Sequence, residues 1–244
     1  MKKHFIFALL LFISLSIFAE VRYVSKTGSS ESPYTSWKTA CDSLQKCFDY
    51  CNNGDTVYVD RGIYRETIYL ENKILTIIGV DTDECIIDGN DLIGPIYGPV
   101  LILQNYGNIK FYNFTLKRKK GINDNYSYEY WNMDGYVDIK NCIFDTTSRA
   151  LIATGDTEAS SCIYRNVNAA VNASGNYKIT ISNSLMSLKM WDGNKSAIKN
   201  SVWSGSYEVY NNIIYTNDIN SSYCIELCTS TGISIKNNLI YGFE

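Results

Sequence analysis

Histidine is almost missing from this 244-residue chain: the only one is His4, inside what reads as a cleaved leader. The mature protein then has none, which excludes Ser-His-Asp and Cys-His nucleophile systems and any zinc site with an imidazole ligand. Proline is scarce at three residues and glycine stands at 16, which excludes collagen-like and proline-rich low-complexity architectures. Positive charge is short as well, with 22 Lys and Arg against 25 Asp and Glu for a net of -3. Nothing here resembles the basic surface of a nucleic-acid-binding domain, and no nucleic-acid partner is expected.

What is present begins with the leader. Lys2 and Lys3 precede an apolar run from Phe5 to Leu15, and small residues follow to Ala19. The run is short for a bilayer-spanning helix and passes directly into polar sequence, so residues 1–19 read as a secretory signal peptide. Its removal leaves 20 basic and 25 acidic residues, a net of about -5. No later segment is apolar enough to span a membrane, and a secreted or cell-surface location follows. All eight cysteines, Cys41, Cys47, Cys51, Cys85, Cys142, Cys162, Cys224 and Cys228, lie in the mature part. An even number in an exported chain favours disulfides over a metal site, with the connectivity open.

From about residue 108 a short pattern recurs: apolar, any, apolar, any, Asn. Its copies end at Asn113, Asn141, Asn166, Asn183, Asn200, Asn211 and Asn237. Each has the period-2 alternation of a half-buried strand and stops at a residue that tolerates the left-handed backbone of a sharp bend. Strand, Asn corner, strand is the grammar of a coil. The 11 residues between Asn200 and Asn211 are too few for a whole coil, so one of these two copies belongs to a second face.

Ahead of the repeats, Trp37, Cys41, Leu44, Cys47, Phe48 and Cys51 recur at steps of three and four, which predicts an amphipathic helix over Thr35–Cys51 with Thr35 or Ser36 as N-cap. Asn52-Asn53-Gly54-Asp55 ends it. Strand-like pieces follow at Thr56–Val59, Thr67–Leu70, Ile74–Ile78 and Cys85–Ile87. A helix there would cover the open end of a stack of strands.

Residues 23–79, with Tyr23-Val24, Gly28-Ser29, Gly54-Asp55-Thr56, Gly62-Ile63-Tyr64 and Leu75-Thr76-Ile77-Ile78-Gly79, followed by Ile86-Ile87-Asp88-Gly89, resemble the N-terminal part of secreted proteins of the pectin-lyase-like superfamily. The resemblance implies an all-β, right-handed parallel β-helix (solenoid) with an N-terminal capping helix. Residues 20–244 would form one domain, 20–55 holding the first strand and the helix and 56–244 the coils. No closing segment follows the last repeat, so the stack is expected to be incomplete at that end or finished by association.

With positions one and three of each repeat pointing inward, position four reads Tyr112, Lys140, Arg165, Ser182, Lys199, Tyr210, Lys236. Stacked at about 4.8 Å per coil, Tyr112, Lys140, Arg165, Lys199, Tyr210 and Lys236 would form a ladder suited to an anionic sugar polymer. The plainer alternative is a solvated strand surface. The basic run Lys117-Arg118-Lys119-Lys120 follows a strand end and reads as either a loop or a second contact. The resemblance also admits a polysaccharide lyase, whose base would be Arg118, Arg149 or Arg165, with Asp138, Asp145, Asp156 or Glu158 near a Ca²⁺ ion. Hydrolases of the superfamily use a Gly-His-Gly segment that this chain lacks. The leading expectation is an extracellular polysaccharide or cell-surface partner bound without catalysis. A uronate lyase is the first alternative, and an adhesin or structural surface protein, self-associating through its last coil, is the second. Five Asn-x-Ser/Thr sequons, at Asn113, Asn125, Asn172, Asn194 and Asn220, are glycan acceptors only in a eukaryotic host.

Overall fold

In the computed structural model the alternating segments become three stacks of parallel strands. It describes residues 19–89, 101–104, 107–117, 128–147, 149–189, 196–200, 205–217, 223–227 and 232–243, with 102–104, 128–134 and 223 described by their backbone alone. The first stack runs through Val21–Val24, Thr56–Val59, Ile74–Gly79, Asn108–Tyr112, the second halves of Tyr128–Lys140 and Arg149–Ser160, then Lys178–Ser182, Ser206–Tyr210 and Gly232–Lys236. The second stack holds Gly62–Tyr64, Cys85–Asp88, Thr115–Lys117, Ile143–Asp145, Ile163–Val167, Leu185–Leu188, Ile213–Thr216 and Leu239–Tyr241. The third consists of Ile68–Glu71, Leu101–Gln104, the first halves of the two long strands, Ala169–Ala173, Ser196–Asn200 and Tyr223–Leu227. The chain visits first, second and third stack in turn, as a β-solenoid does. No helix among the described residues is long and apolar enough to cross a membrane.

The corner between the first two stacks repeats one device. Asn113, Asn141, Ser161, Asn183, Asn211 and Asn237 each take a left-handed backbone, with φ of 65°, 52°, 55°, 51°, 58° and 56°. Asparagine tolerates this conformation because its short side chain hydrogen-bonds locally. The Asn113 amide donates to Gly79 O, and Asn141 donates to Asn113 Oδ1, both at 3.0 Å. Gly79 is required at this point, since a Cβ there would overlap the Asn113 carbonyl.

Two copies expected at this corner lie elsewhere. Asn166 falls within the second stack, where the pairing register shifts between Arg165 and Val167. Asn200 ends a third-stack strand. The corner of the intervening coil is Ser161, which carries the left-handed turn without an amide.

The inward positions fill the core: Leu75, Ile109, Val137 and Ile179 with Ile77, Phe111, Ile139 and Ile181 from the first stack, and Ile87, Leu116, Phe144, Tyr164 and Met186 from the second, all buried. The Phe144 and Tyr164 rings stack 5.0 Å apart on successive coils. In the last described coil no further strand follows among the described residues, and Ile233 and Ile235 stay 50% and 45% exposed.

The expected helix shrinks to Leu44–Tyr50, the single α-helix among the described residues. Cys41 is taken by the sheet instead: its N–H donates to Tyr23 O at 2.9 Å, and its carbonyl accepts from Ser25 N at 2.8 Å. The N-cap is therefore Ser43, whose hydroxyl accepts from Lys46 N, not Thr35 or Ser36. Glu66 completes the first turn by accepting from Leu44 N and Gln45 N. Leu44, Cys47 and Phe48 pack into the common core. Beside the helix, Arg22 and Asp55 form a buried ion pair at 2.8 Å, with Asp55 also accepting from Glu20 N and Asn52 N.

The expected disulfide framework is not formed among the described residues: all seven described cysteines are free thiols, six of them buried. Cys142 and Cys162 immediately precede the paired residues Ile143 and Ile163, one coil apart. Each thiol donates to a carbonyl, Cys142 to Lys140 O and Cys162 to Ser160 O, at 3.3 Å. They behave as small hydrophobes. Cys228 lies outside the described residues.

Candidate functional site

The strand register sorts the candidate ladder. Tyr112, Lys140, Ser160, Ser182, Tyr210 and Lys236 are aligned on successive coils of the first stack. Arg165 belongs to the second stack and Lys199 to the third, so neither joins that column. The cause is the repeat itself: apolar alternation ending in Asn looks the same on any face. Arg118 lies outside the described residues, and Arg149 opens a third-stack strand.

Three of the four cations of the expected ladder are paired. Lys140 Nζ lies 3.0 Å from Asp138 Oδ2 and 5.6 Å from the Tyr112 ring centroid. Arg165 pairs with Asp145 at 2.9 Å, and Lys199 with Glu226 at 3.3 Å. Although burial works against it, the Arg165 hydrogen bond holds the Asp145 carboxyl below the usual carboxylate range. A hydrogen bond from Ser196, then Lys199, does the same for Glu226. The four candidate carboxylates for Ca²⁺ are divided, Asp138, Asp156 and Glu158 on the first stack and Asp145 on the second. Among the described residues no three His, Cys, Asp or Glu side chains gather to hold a metal ion.

On the outward surface of the first stack, Asp138 is only 5% exposed. One oxygen, Oδ2, takes the Tyr112 hydroxyl at 2.5 Å and Lys140, while Oδ1 has no hydrogen-bond partner. Burial, then the Asp138 carboxylate, pushes the Tyr112 phenol up. Tyr136 donates to Glu158 at 3.2 Å, and burial followed by Glu158 pushes its pKa up to about 12.

Around the corner in the same coils lies a groove of about 480 Å³. It is lined by the segment Val80 to Asp83 and by Asn113, Asn141, Ser161, Ile143, Ile163 and Arg165. This segment reaches down two coils: Thr82 Oγ1 donates to Asn141 O at 3.1 Å, and Thr115 Oγ1 donates to Thr82 O at 2.7 Å. Arg61 holds it from behind through Glu84 and, at 3.9 Å, Asp81. Carboxylates, amides, a hydroxyl and a guanidinium thus line one concavity together with Ile143 and Ile163. Neither Asp81 nor Asp83 is marked by the repeat, and the only sequence signal for the groove is the acidic Asp-Thr-Asp stretch after Gly79. Comparison with protein-family models, with curated proteins and with solved structures finds no match for this chain.

Proposed function

We propose that the mature protein is an exported right-handed parallel β-helix, of the pectin-lyase-like kind, that binds an extracellular polysaccharide in the corner groove. The right hand is supported by the general preference of parallel crossovers, which are right-handed in nearly all proteins. The helix Leu44–Tyr50, packed on the first coil, serves as the cap. The observation that carries the binding reading is the groove itself, a concavity lined mainly by hydrogen-bonding groups, Asp81, Asp83, Asn113, Asn141, Ser161 and Arg165, which suit the hydroxyls of a sugar.

Contact requires nothing beyond this lining. Arg165, the base candidate that lines the groove, has its guanidinium engaged by Asp145 at 2.9 Å. The test is affinity electrophoresis of the mature chain through gels containing a panel of polysaccharides, with Arg165→Ala and the double variant Asp81→Ala/Asp83→Ala alongside. Retardation by one polymer, lost in both variants, is the expected outcome; retardation equal in all three proteins would place binding elsewhere. Unsaturated, ultraviolet-absorbing products that vanish in Arg165→Ala would instead establish a lyase.

A self-associating surface protein is the second reading, favoured by the exposed apolar side chains Ile233, Ile235, Leu239 and Tyr241 of the last described coil. Light scattering that stays monomeric across concentration would remove it.

A further inference from the structure

We infer that the groove's ligand is an uncharged linear polysaccharide lying along the solenoid axis, from the groove down the outward surface of the second stack; this rests on the polysaccharide reading above.

Charge is the first reason. Two cations at or beside the groove are neutralised within the protein, Arg165 by Asp145 at 2.9 Å and Lys140 by Asp138 at 3.0 Å, while Lys117, in register with Asp145, has no ion pair among the described residues. Asp81 and Asp83 line the groove. An anionic polymer would have to break these pairs and then meet Asp83 together with Asp81, which faces Arg61 at 3.9 Å, and like charges set against each other across an interface are costly. A chain of hydroxyls suits the same groups: carboxylates and amide oxygens accept, while amide and guanidinium N–H groups donate.

The surface below the groove supplies the second reason. The column that begins with Lys117, Asp145 and Arg165 continues in register as Ser187, Tyr215 and Tyr241. Formal charge stops at Arg165. The Tyr215 and Tyr241 rings lie 5.2 Å apart and 8° from parallel, offering two flat faces with hydroxyl tips. Beside them runs a second outward column, Ile163, Leu185, Ile213 and Leu239, also in register. On its other side the corner amides of Asn183 and Asn211 have only long bonds, Asn211 to Asn183 at 3.4 Å and Asn183 to Ser182 at 3.5 Å. By contrast, Asn141 makes two bonds of 2.9 and 3.0 Å. The exposed amides thus retain capacity for a ligand. Apolar faces edged by neutral donors and acceptors match the two characters of a pyranose ring, its C–H face and its hydroxyl rim.

Size and direction agree. From Lys117 to Tyr241 the column makes five steps of about 4.8 Å, about 24 Å in all. With its apolar neighbour column and the corner amides it is a strip only a few residues wide, short of the roughly 800 Å² per partner of a stable protein–protein interface. A single extended chain fits it.

The test is affinity electrophoresis and titration calorimetry on the full mature chain. The probes are four uncharged polymers (a linear β-glucan, a xylan, a galactomannan and chitin oligomers) and two anionic ones (polygalacturonate and alginate), each at low and high salt. The inference expects binding to at least one uncharged polymer, unchanged by salt. It expects at least about a tenfold weakening in Tyr215→Ala and near-normal binding in Tyr215→Phe. Circular dichroism of Tyr215→Ala, whose side chain faces outward, should match the parent. Binding of the anionic polymers alone, lost in high salt, would overturn this inference and leave the groove reading standing. Binding of none of the six would overturn both. A concentration-dependent dimer abolished by Leu239→Asn, without polymer binding, would also overturn it by assigning the surface to a second copy.

Discussion

The Tyr112 hydroxyl donates to Asp138 Oδ2 at 2.5 Å from one coil to the next, and Lys140 Nζ reaches the same oxygen at 3.0 Å. A residue expected to offer its charge to a ligand is thereby committed to a carboxylate of its own sheet. What remains unsatisfied at that place is Asp138 Oδ1, an acceptor on the outward surface.

Tyr112 and Tyr136 should titrate late. Burial and the neighbouring carboxylates raise both phenols, Tyr136 to about 12. A raised folded-state pKa contributes stability that is complete below the ordinary tyrosine value near 10 and is lost as pH climbs through the folded value. Ultraviolet titration should therefore place Tyr112 and Tyr136 in a late-ionising group with the buried Tyr64 and Tyr164, and Asp138→Asn should bring the Tyr112 step to lower pH while burial keeps it above the ordinary tyrosine value. An unchanged profile in Asp138→Asn would contradict the contact.

Breaking the Arg22–Asp55 pair should be costly, because it leaves a buried charge without its partner. Arg22→Met is expected to destabilise by about 3–5 kcal/mol in urea melts. Burial opposes ionisation of Asp55, yet the Glu20 and Asn52 N–H groups and Arg22 outweigh it and hold the carboxyl below its usual value. The sign is that of a depressed carboxylate: its stability is present above about pH 3.9 and is lost as pH falls through the folded value. Asp55→Asn should flatten that acid limb.

The two faces of a first-stack strand should respond unequally. Ile181 is fully buried, and Ile181→Asp should cost at least about 4 kcal/mol. Lys178, on the outward side and 56% exposed, makes only a surface pair with Glu208, and Lys178→Ser should cost less than about 0.5 kcal/mol. Thermal melts of the two variants decide it. Ser182 is not a suitable control, since it points outward yet is only 3% exposed.

The solenoid was legible because period-2 alternation and a left-handed corner are local properties, written in each copy from Ile109–Asn113 to Ile233–Asn237. Which stack a copy occupies is not local. The segments ending at Asn166 and Asn200 carry the same pattern as those ending at Asn141 and Asn211, and only the connection lengths before them separate the faces. The helix was read too long because 3.6-residue periodicity cannot show that Cys41 will be recruited by Tyr23 and Ser25 of the sheet. The groove was illegible for a similar reason: Thr82 meets Asn141 across 59 residues of sequence.

Ser161 offers the sharpest test of the corner, because it is the one member of that ladder, from Asn113 to Asn237, whose side chain cannot pass an amide bond to the next coil. Its φ of 55° already matches that of its neighbours, so asparagine would enter without backbone rearrangement. An added amide could reach the Asn141 and Asn183 side chains above and below, and asparagine bears the left-handed region at lower cost than serine. Ser161→Asn should therefore raise stability by about 0.5–1 kcal/mol, a shift of a few degrees in Tm. Ser161 also lines the groove, so the larger side chain should narrow it and weaken polysaccharide binding even as the melt moves upward. Stability and binding moving in opposite directions in one variant would tie the corner to the site. A destabilised Ser161→Asn would show that the corner at this coil is shaped for serine.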